Sequence, residues 1–412
     1  MTQHVHDIQQ ITITRLRPIP QRYPWGKIGA QSLVARLLGD GNYDHGQPYA
    51  ELWMGAHPKA PSQIAVDGAW LNLNEVIARS GSVHLGTQAQ SEGRLPFLFK
   101  VLSVNKPLSI QAHPSKELAS ILHQRDPQNY PDDNHKPEIA IAITPLELLH
   151  GFRSVSDISA MLQQYPEFSR VIPPRIINSL TDALSNDLRS PQALTVVQAI
   201  YEALLNSPSA TYAASIDQLA ERLRASTTKT ERDIWFLKAL ALFGNTDIGL
   251  SAFYLLELRK INPGEALFTG PSLPHAYLSG DLVECMANSD NVVRAGLTDK
   301  FKDLKTMVSM LDYAPIERAL ILPTPLRGSP HVLTYWTPAE EFQIDTIKQA
   351  SATIAVASAQ IAICTAGSVI ISERDTTIML QRGEAIFVSA QTASYQISAE
   401  QGEIFIARCG VS

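Results

Sequence analysis

The spacing of apolar side chains divides the chain into three textures. From Ile11 to Arg153, short runs such as Ile11–Leu16, Phe97–Val104 and Ile139–Ile143 read as β-strands punctuated by Pro and Gly, with a helical insert after Gly29. From about Ser156 to Gly244 the period becomes helical. Leu194, Val197, Tyr201 and Leu204 fall on one helix face, and Ile216, Leu219 and Leu223 repeat the spacing. Such stripes predict amphipathic helices that pack on one another, closed by Gly244. After Ser251 the strand texture returns and runs to the C-terminus, broken by one helix between Asp303 and Leu311. The pattern predicts a mainly β body with an α-helical insertion.

The stretch Gln349 to Ser372 carries no charge, yet it is interrupted by Gln349, Ser351, Thr353, Ser358, Gln360, Thr365 and Gly367. Spanning a bilayer takes about 20 predominantly apolar residues. The alternation of Ile354/Val356 and Ile361/Ile363, with a phase change near Ser358, predicts two strands instead. An internal repeat supports two similar β units. Ile261-Asn-Pro-Gly-Glu-Ala-Leu-Phe268 recurs as Leu380-Gln-Arg-Gly-Glu-Ala-Ile-Phe387, each a glycine turn leading into a strand, and the same offset sets Ser394 against His275.

Composition narrows the partners. The chain has 412 residues, 45% hydrophobic and 18% charged, with a net charge of −6. That excludes disorder and low-complexity classes, and with no Lys/Arg block it argues against nucleic acid or an anionic membrane. A small-molecule partner and a monomer are expected. Three scattered cysteines, Cys285, Cys364 and Cys409, form neither a disulfide framework nor a CxxC motif. With no signal peptide visible from Met1 to Gln10, the expectation is the reducing cytoplasm.

Candidate chemistry sits in three distant segments. Gln111 and His113 are separated by one residue on an extended backbone, so both side chains reach one side. Taken singly, such a pair usually reflects ordinary hydrogen bonding. Asn134-His-Lys-Pro-Glu138 stands at the start of a strand, where Pro137 restricts the backbone and fans out an imidazole, an ammonium and a carboxylate. Taken alone it also reads as a solvated turn. His275 follows Pro274, with Tyr277 on the same strand face. Gln111, His113, Glu138 and His275 together offer two nitrogens and two oxygens, a set suited to Zn²⁺ with room for water or substrate. The segment Glu284 to Arg294 adds Glu284, Asp290 and an always-cationic Arg294 able to stabilise an oxyanion. Lys300, Lys100 and Ser109 are candidates for a phosphate, since no glycine-rich phosphate loop exists. Singly, Lys300, Lys302 and Lys305 read as a solvated face. The histidines at 4, 6, 45, 57, 84, 123, 150 and 331 read as surface or satisfied core residues.

These residues lie within dense motifs: Tyr23-Pro-Trp-Gly26, Ala50-Glu-Leu-Trp-Met-Gly-Ala-His-Pro58, Leu95-Pro-Phe-Leu-Phe-Lys-Val-Leu102 and Lys106-Pro-Leu-Ser-Ile-Gln-Ala-His-Pro114. Further on come Tyr130-Pro-Asp-Asp-Asn-His-Lys-Pro-Glu138, Gly151-Phe-Arg153, and the run from Pro274-His-Ala-Tyr through Glu284 and Arg294 to Lys300. In these the chain resembles the type I mannose-6-phosphate isomerases, zinc enzymes of the cupin superfamily. Asp299 departs from the family pattern, which has proline before Lys300.

The resemblance implies two cupin-like jelly-roll β-barrels, the first catalytic and the second degenerate. It divides the chain into a catalytic part at 1–154, a helical insertion at 155–250, the rest of the catalytic unit at 251–320 and a C-terminal unit at 321–412. It also implies one Zn²⁺ held by Gln111, His113, Glu138 and His275, and interconversion of mannose 6-phosphate and fructose 6-phosphate. Arg294 falls on the family's active-site arginine. Moving a carbonyl from C1 to C2 through an enediol needs an electrophile at the oxygens and one base near both carbons. His135 and Lys136 are the candidate base pair. Asp290 is assigned to ring opening or to orienting Arg294; Lys100, Ser109, Tyr277, Glu284 and Lys300 are assigned to substrate. A cupin body also serves metal oxygenases and sugar-binding modules, so the fold alone does not choose among these.

Overall fold

A computed structural model describes residues 8–86, 93–185, 187–316 and 320–410. His4 and His6 lie outside them. The strands form two large sheets, of ten and eleven strands, and one two-stranded ribbon. Among the described residues the pairing of each large sheet branches without returning on itself, so no closed barrel is traced.

The long strand His275–Ala287 organises the ten-stranded sheet. Its second half pairs with Phe97–Val104 and Glu138–Ala142, while its first half pairs with Leu146–Phe152 and touches Ile110–Ala112 at His275. The change of partners falls at Gly280, whose φ of 129° suits glycine. A Cβ there would lie 2.8 Å from the Pro145 carbonyl oxygen.

Strand alternation then sorts every side chain of this sheet. Ile110, Ala112, Ala276, Leu278, Val293 and Ala295 join a core shared with the helices. Leu52, Met54, Phe97, Phe99, Val101, Ile139, Ile141, Val283 and Cys285 join a second core, shared with Ile344, Ile361, Phe387 and Phe405 of the other sheet. Both backs are thus covered. The residues between them, from Glu51, Trp53, Lys100 and Gln111 to Glu138, Tyr277, Glu284 and Arg294, share the remaining face.

The helical insertion follows its apolar stripes as Val155–Gln164, Pro166–Ser169, Pro174–Leu184, Pro191–Leu205, Ser209–Ala225 and Glu231–Phe243. Ser154, Ser190 and Thr230 cap three N-termini, the last in a reciprocal box with Asp233, and Gly244 stands at the final C-cap with φ 80°. Tyr201 packs edge-on against Phe152 with ring centres 5.3 Å apart, fixing the bundle to the sheet.

The eleven-stranded sheet does not respect the linear division of the chain. Ile13–Arg17 pairs with Ala385–Val388 on one side and Gln63–Val66 on the other. Residues 13–17 and 63–72 therefore pair in one sheet with the C-terminal strands: lateral partners are chosen by the buried face, not by order along the chain. The repeat is realised in detail. Gly264 and Gly383 have φ of 87° and 92°, and Glu265 and Glu384 accept hydrogen bonds from the Asn262 and Gln381 amides at 2.7 and 2.8 Å. The long strands that follow begin at His275 and Ser394. The uncharged stretch forms Ser351–Ala355 and Gln360–Glu373, and no helix of the described residues is long and apolar enough to cross a membrane.

Candidate active site and metal centre

The free face of the ten-stranded sheet forms the floor of a cleft of about 570 Å³, within the ordinary range of small-molecule sites. Lys100, Ser109, Gln111, Lys136, Glu138, Tyr277, Glu284, Asp290, Arg294 and Lys300 all line it. His113 and His275 lie buried beneath that surface.

Three segments meet where the sequence pattern predicts that they should. His113 Nε2 and His275 Nε2 each lie 3.4 Å from a different oxygen of Glu138. Gln111 Nε2 lies 3.3 Å from His275 Nε2, and Gln111 is the register partner of both His275 and Arg294. The tautomers follow from the other ring nitrogens. His113 Nδ1 is 2.9 Å from the Asn291 carbonyl and His275 Nδ1 is 3.0 Å from the Leu273 carbonyl. A carbonyl only accepts, so both protons sit on Nδ1 and both Nε2 atoms present bare lone pairs. Burial holds the His113 pKa down to about 4, keeping that ring neutral.

Glu138 is also ionised. Burial alone would raise its pKa, but the Lys136 ammonium, 3.2 Å away, outweighs that and holds it well below the carboxylate range. Two imidazole lone pairs therefore face a carboxylate, all buried, and His113 Nε2 and Glu138 Oε2 have no hydrogen-bond partner. A cation relieves that arrangement, and the donor set of two imidazoles and one carboxylate fits zinc. The fourth candidate fits after one adjustment. Turning the Gln111 amide half round exchanges its oxygen and nitrogen and still leaves Ser109 Oγ, 3.1 Å away, a partner.

Beside this centre stands a buried charge ladder. Lys100 Nζ lies 3.1 Å from Glu284 and 3.6 Å from Glu51, and the Tyr277 hydroxyl donates to Glu284 at 2.9 Å. Burial opposes the Lys100 charge, but the two carboxylates more than offset it and raise the ammonium's pKa. Burial raises the Glu284 pKa, helped by Glu138 and Glu51 and opposed by Lys100. Lys100 is thus engaged by two carboxylates. Arg294 and Lys300, on the same wall, have no ion-pair partner among the described residues. Burial lowers both pKa values, and Arg294 lowers that of Lys300 further.

Two assigned residues have partners outside the metal centre. His135 leaves the cleft to pair with Glu341, because neighbours on an extended backbone point to opposite sides. The structure therefore separates it from Lys136. Asp290 accepts from Lys59 at 2.8 Å and lies 3.4 Å from His57 Nε2. These partners outweigh the upward pull of burial and keep its carboxyl well below the usual range. His57 is consequently a support of the cleft wall, and His84 and His150 are buried and bond through a ring nitrogen to the Ser389 and Thr269 hydroxyls.

The pattern left Glu51, Trp53, Lys59 and Asp132 unassigned. Asp132 holds the Ser289 hydroxyl at 2.7 Å and the Asn291 amide, clamping the loop whose carbonyl orients His113. The usable signal was a carboxylate alternating with core positions in Glu51-Leu52-Trp53-Met54.

Residues 13–155 match the family described as phosphomannose isomerase type I, catalytic domain. Over 408 residues the chain is 40% identical to the mannose-6-phosphate isomerase of Homo sapiens, covering 94% of this chain and 96% of that one. It is 36% identical to the probable mannose-6-phosphate isomerase of Caenorhabditis elegans over 386 residues, covering 92% and 90%. The solved mannose 6-phosphate isomerase of Salmonella typhimurium, bound to substrate and zinc, superposes with a TM-score of 0.84 at 30% identity, over 97% of this chain and 100% of that one.

Proposed function

We infer the reaction from the family, for the chain belongs to the type I mannose-6-phosphate isomerases and is an aldose–ketose isomerase. It interconverts mannose 6-phosphate and fructose 6-phosphate by moving a proton between C1 and C2 through an enediol. One observation carries this reading: buried bare lone pairs of His113 and His275 converge on Glu138, with Lys136 and Arg294 on the adjoining wall.

Gln111, His113, Glu138 and His275 hold one Zn²⁺, which when bound supplies Lewis acidity toward the sugar oxygens. Arg294 neutralises the negative charge that develops on the enediol oxygens, a position its register beside Gln111 supports. Lys136, having first given up its own ammonium proton, removes the proton from one carbon and returns it to the next. Lys300, with the Ser109 hydroxyl, receives the phosphate. Tyr277 and Glu284 accept hydrogen bonds from the sugar hydroxyls, and Asp290 assists ring opening or orients Arg294. The oxygenase and binding-module alternatives fall away with the family assignment. The same reading places a monomer in the cytoplasm, in keeping with three buried cysteines far apart in the sequence.

The test is isomerisation of mannose 6-phosphate before and after chelation, with zinc added back. Activity that disappears with the metal and returns with it supports the reading; full activity in metal-free protein overturns it.

A further inference from the structure

Lys300 is carried by a loop that the helical insertion grips. Leu297, three residues before it, has φ of 54°, a conformation that a branched side chain adopts only when its surroundings enforce it. The enforcing group is Asp247, just beyond the last long helix of the insertion. Its Oδ1 accepts from the Leu297 amide at 2.8 Å and from the Gly249 amide at 2.8 Å. The two loops touch so closely that a Cβ on Gly249 would lie 2.8 Å from the Leu297 nitrogen, and one on Gly296 would overlap the Gly249 nitrogen. Tyr212, from the helix Ser209–Ala225, donates its hydroxyl to the Asp247 and Ile248 carbonyls at 3.4 and 3.3 Å, so the gripping turn is itself tied to the bundle. Beyond Leu297 the chain runs through Thr298, whose hydroxyl accepts from the Lys300 amide at 3.1 Å, and delivers Lys300 to the cleft.

We propose that Asp247 is a positioning residue for the substrate's phosphate: it holds Leu297 in its strained conformation and thereby aims Lys300. The helical insertion thus acts on substrate affinity, not only on folding. The inference rests on the reading of Lys300 as the phosphate ligand. Asp247 touches neither substrate nor metal, so its removal changes how tightly the phosphate is held and leaves the proton-transfer groups in place. A held loop loses less freedom when it binds an anion, which is why fixing the loop raises affinity.

The test measures the dissociation constant of inorganic phosphate by calorimetry on zinc-loaded full-length protein, together with kcat and KM for mannose 6-phosphate. Asp247→Ala removes the acceptor, and Gly249→Ala wedges the two loops apart from the other side, which keeps the test usable if the first variant does not fold. Each is expected to weaken phosphate binding and raise KM roughly 10-fold, the scale of one hydrogen bond to a charged group, with kcat within about 3-fold. Asp247→Asn retains an acceptor oxygen and is expected within about 2-fold of the parent. In a Lys300→Ala background the effect of Asp247→Ala should vanish. Unchanged phosphate binding in folded Asp247→Ala, or a loss that adds in full to that of Lys300→Ala, overturns the proposal. If Lys300→Ala itself leaves phosphate binding unchanged, the phosphate reading has failed first, and the two failures are told apart.

Discussion

Gln111 and His275 face each other across neighbouring strands, with side-chain nitrogens 3.3 Å apart. The amide completes a buried set of lone pairs that would otherwise be three, and it does so from the one strand position whose neighbours Ile110 and Ala112 both point into the helical core. Replacing it by an apolar side chain of similar size isolates its contribution. Gln111→Leu is expected to weaken zinc binding by about 10–100-fold while leaving the melting temperature of the metal-free protein within a few degrees. Titration against a competing chelator measures this, and an unchanged affinity would remove Gln111 from the ligand set.

Lys136 meets the metal centre through Glu138, 3.2 Å away, and lines the cleft while its neighbour His135 does not. Lys136→Met is expected to lower kcat by roughly 10²–10⁴-fold, the usual share of a general base. Zinc content, assayed on the same sample, should be retained. Near-normal turnover would mean that the proton is carried by another group.

On the proposed mechanism, Arg294 acts on charge that exists only during the reaction. Arg294→Ala should therefore lower kcat by about 10²–10³-fold and raise KM far less. Steady-state kinetics separate the two parameters. The opposite split would make the guanidinium a ground-state binding group.

His84 joins the helix Leu73–His84 to the second sheet through Ser389 Oγ, 3.0 Å from its Nδ1, with Nε2 buried and unpartnered. Burial lowers its pKa in the folded chain. The unfolded chain takes up the proton below about pH 6.5, and the folded one resists, so between these values the unfolded state binds more protons. Stability from this group is complete above that pH and is lost as pH falls toward the lowered folded value. Melting temperatures should drop from about pH 7 to about pH 5.5, and drop less steeply for His84→Gln. Parallel slopes would rule out the assignment.

Gly280 lets one strand serve two sets of partners. Gly280→Ala forces a left-handed conformation on alanine and drives its Cβ to 2.8 Å from the Pro145 oxygen. A loss of roughly 1–3 kcal/mol is expected from the backbone strain, read from the denaturant midpoint. His275 and Glu284 lie on the two sides of the bend, so activity should fall as well.

Much of the site was legible because alternation is a local property. Gln111 with His113, His275 with Tyr277, and Glu138 before its apolar strand declared a common face within a few residues, and the motifs around them pointed to one chemistry. Long-range neighbours gave no such signal. Nothing near Lys100 announces Glu51 and Glu284, nothing near His135 announces Glu341, and nothing near Lys300 announces Asp247. Each was paired by the stacking of strands and loops far apart in the chain.

The amino-acid order by itself determined which stretches become strands and helices, which side chains alternate toward a common face, and that His113, Glu138 and His275 are candidates to share a cation. Period and residue type act over a few residues, where the unfolded chain already carries them. Only the tertiary structure decided that residues 13–17 and 63–72 join the C-terminal sheet, that Lys100 is held by two carboxylates, and that the helical insertion holds the loop of Lys300. Those outcomes depend on which surfaces bury one another, a choice settled by packing across the whole molecule.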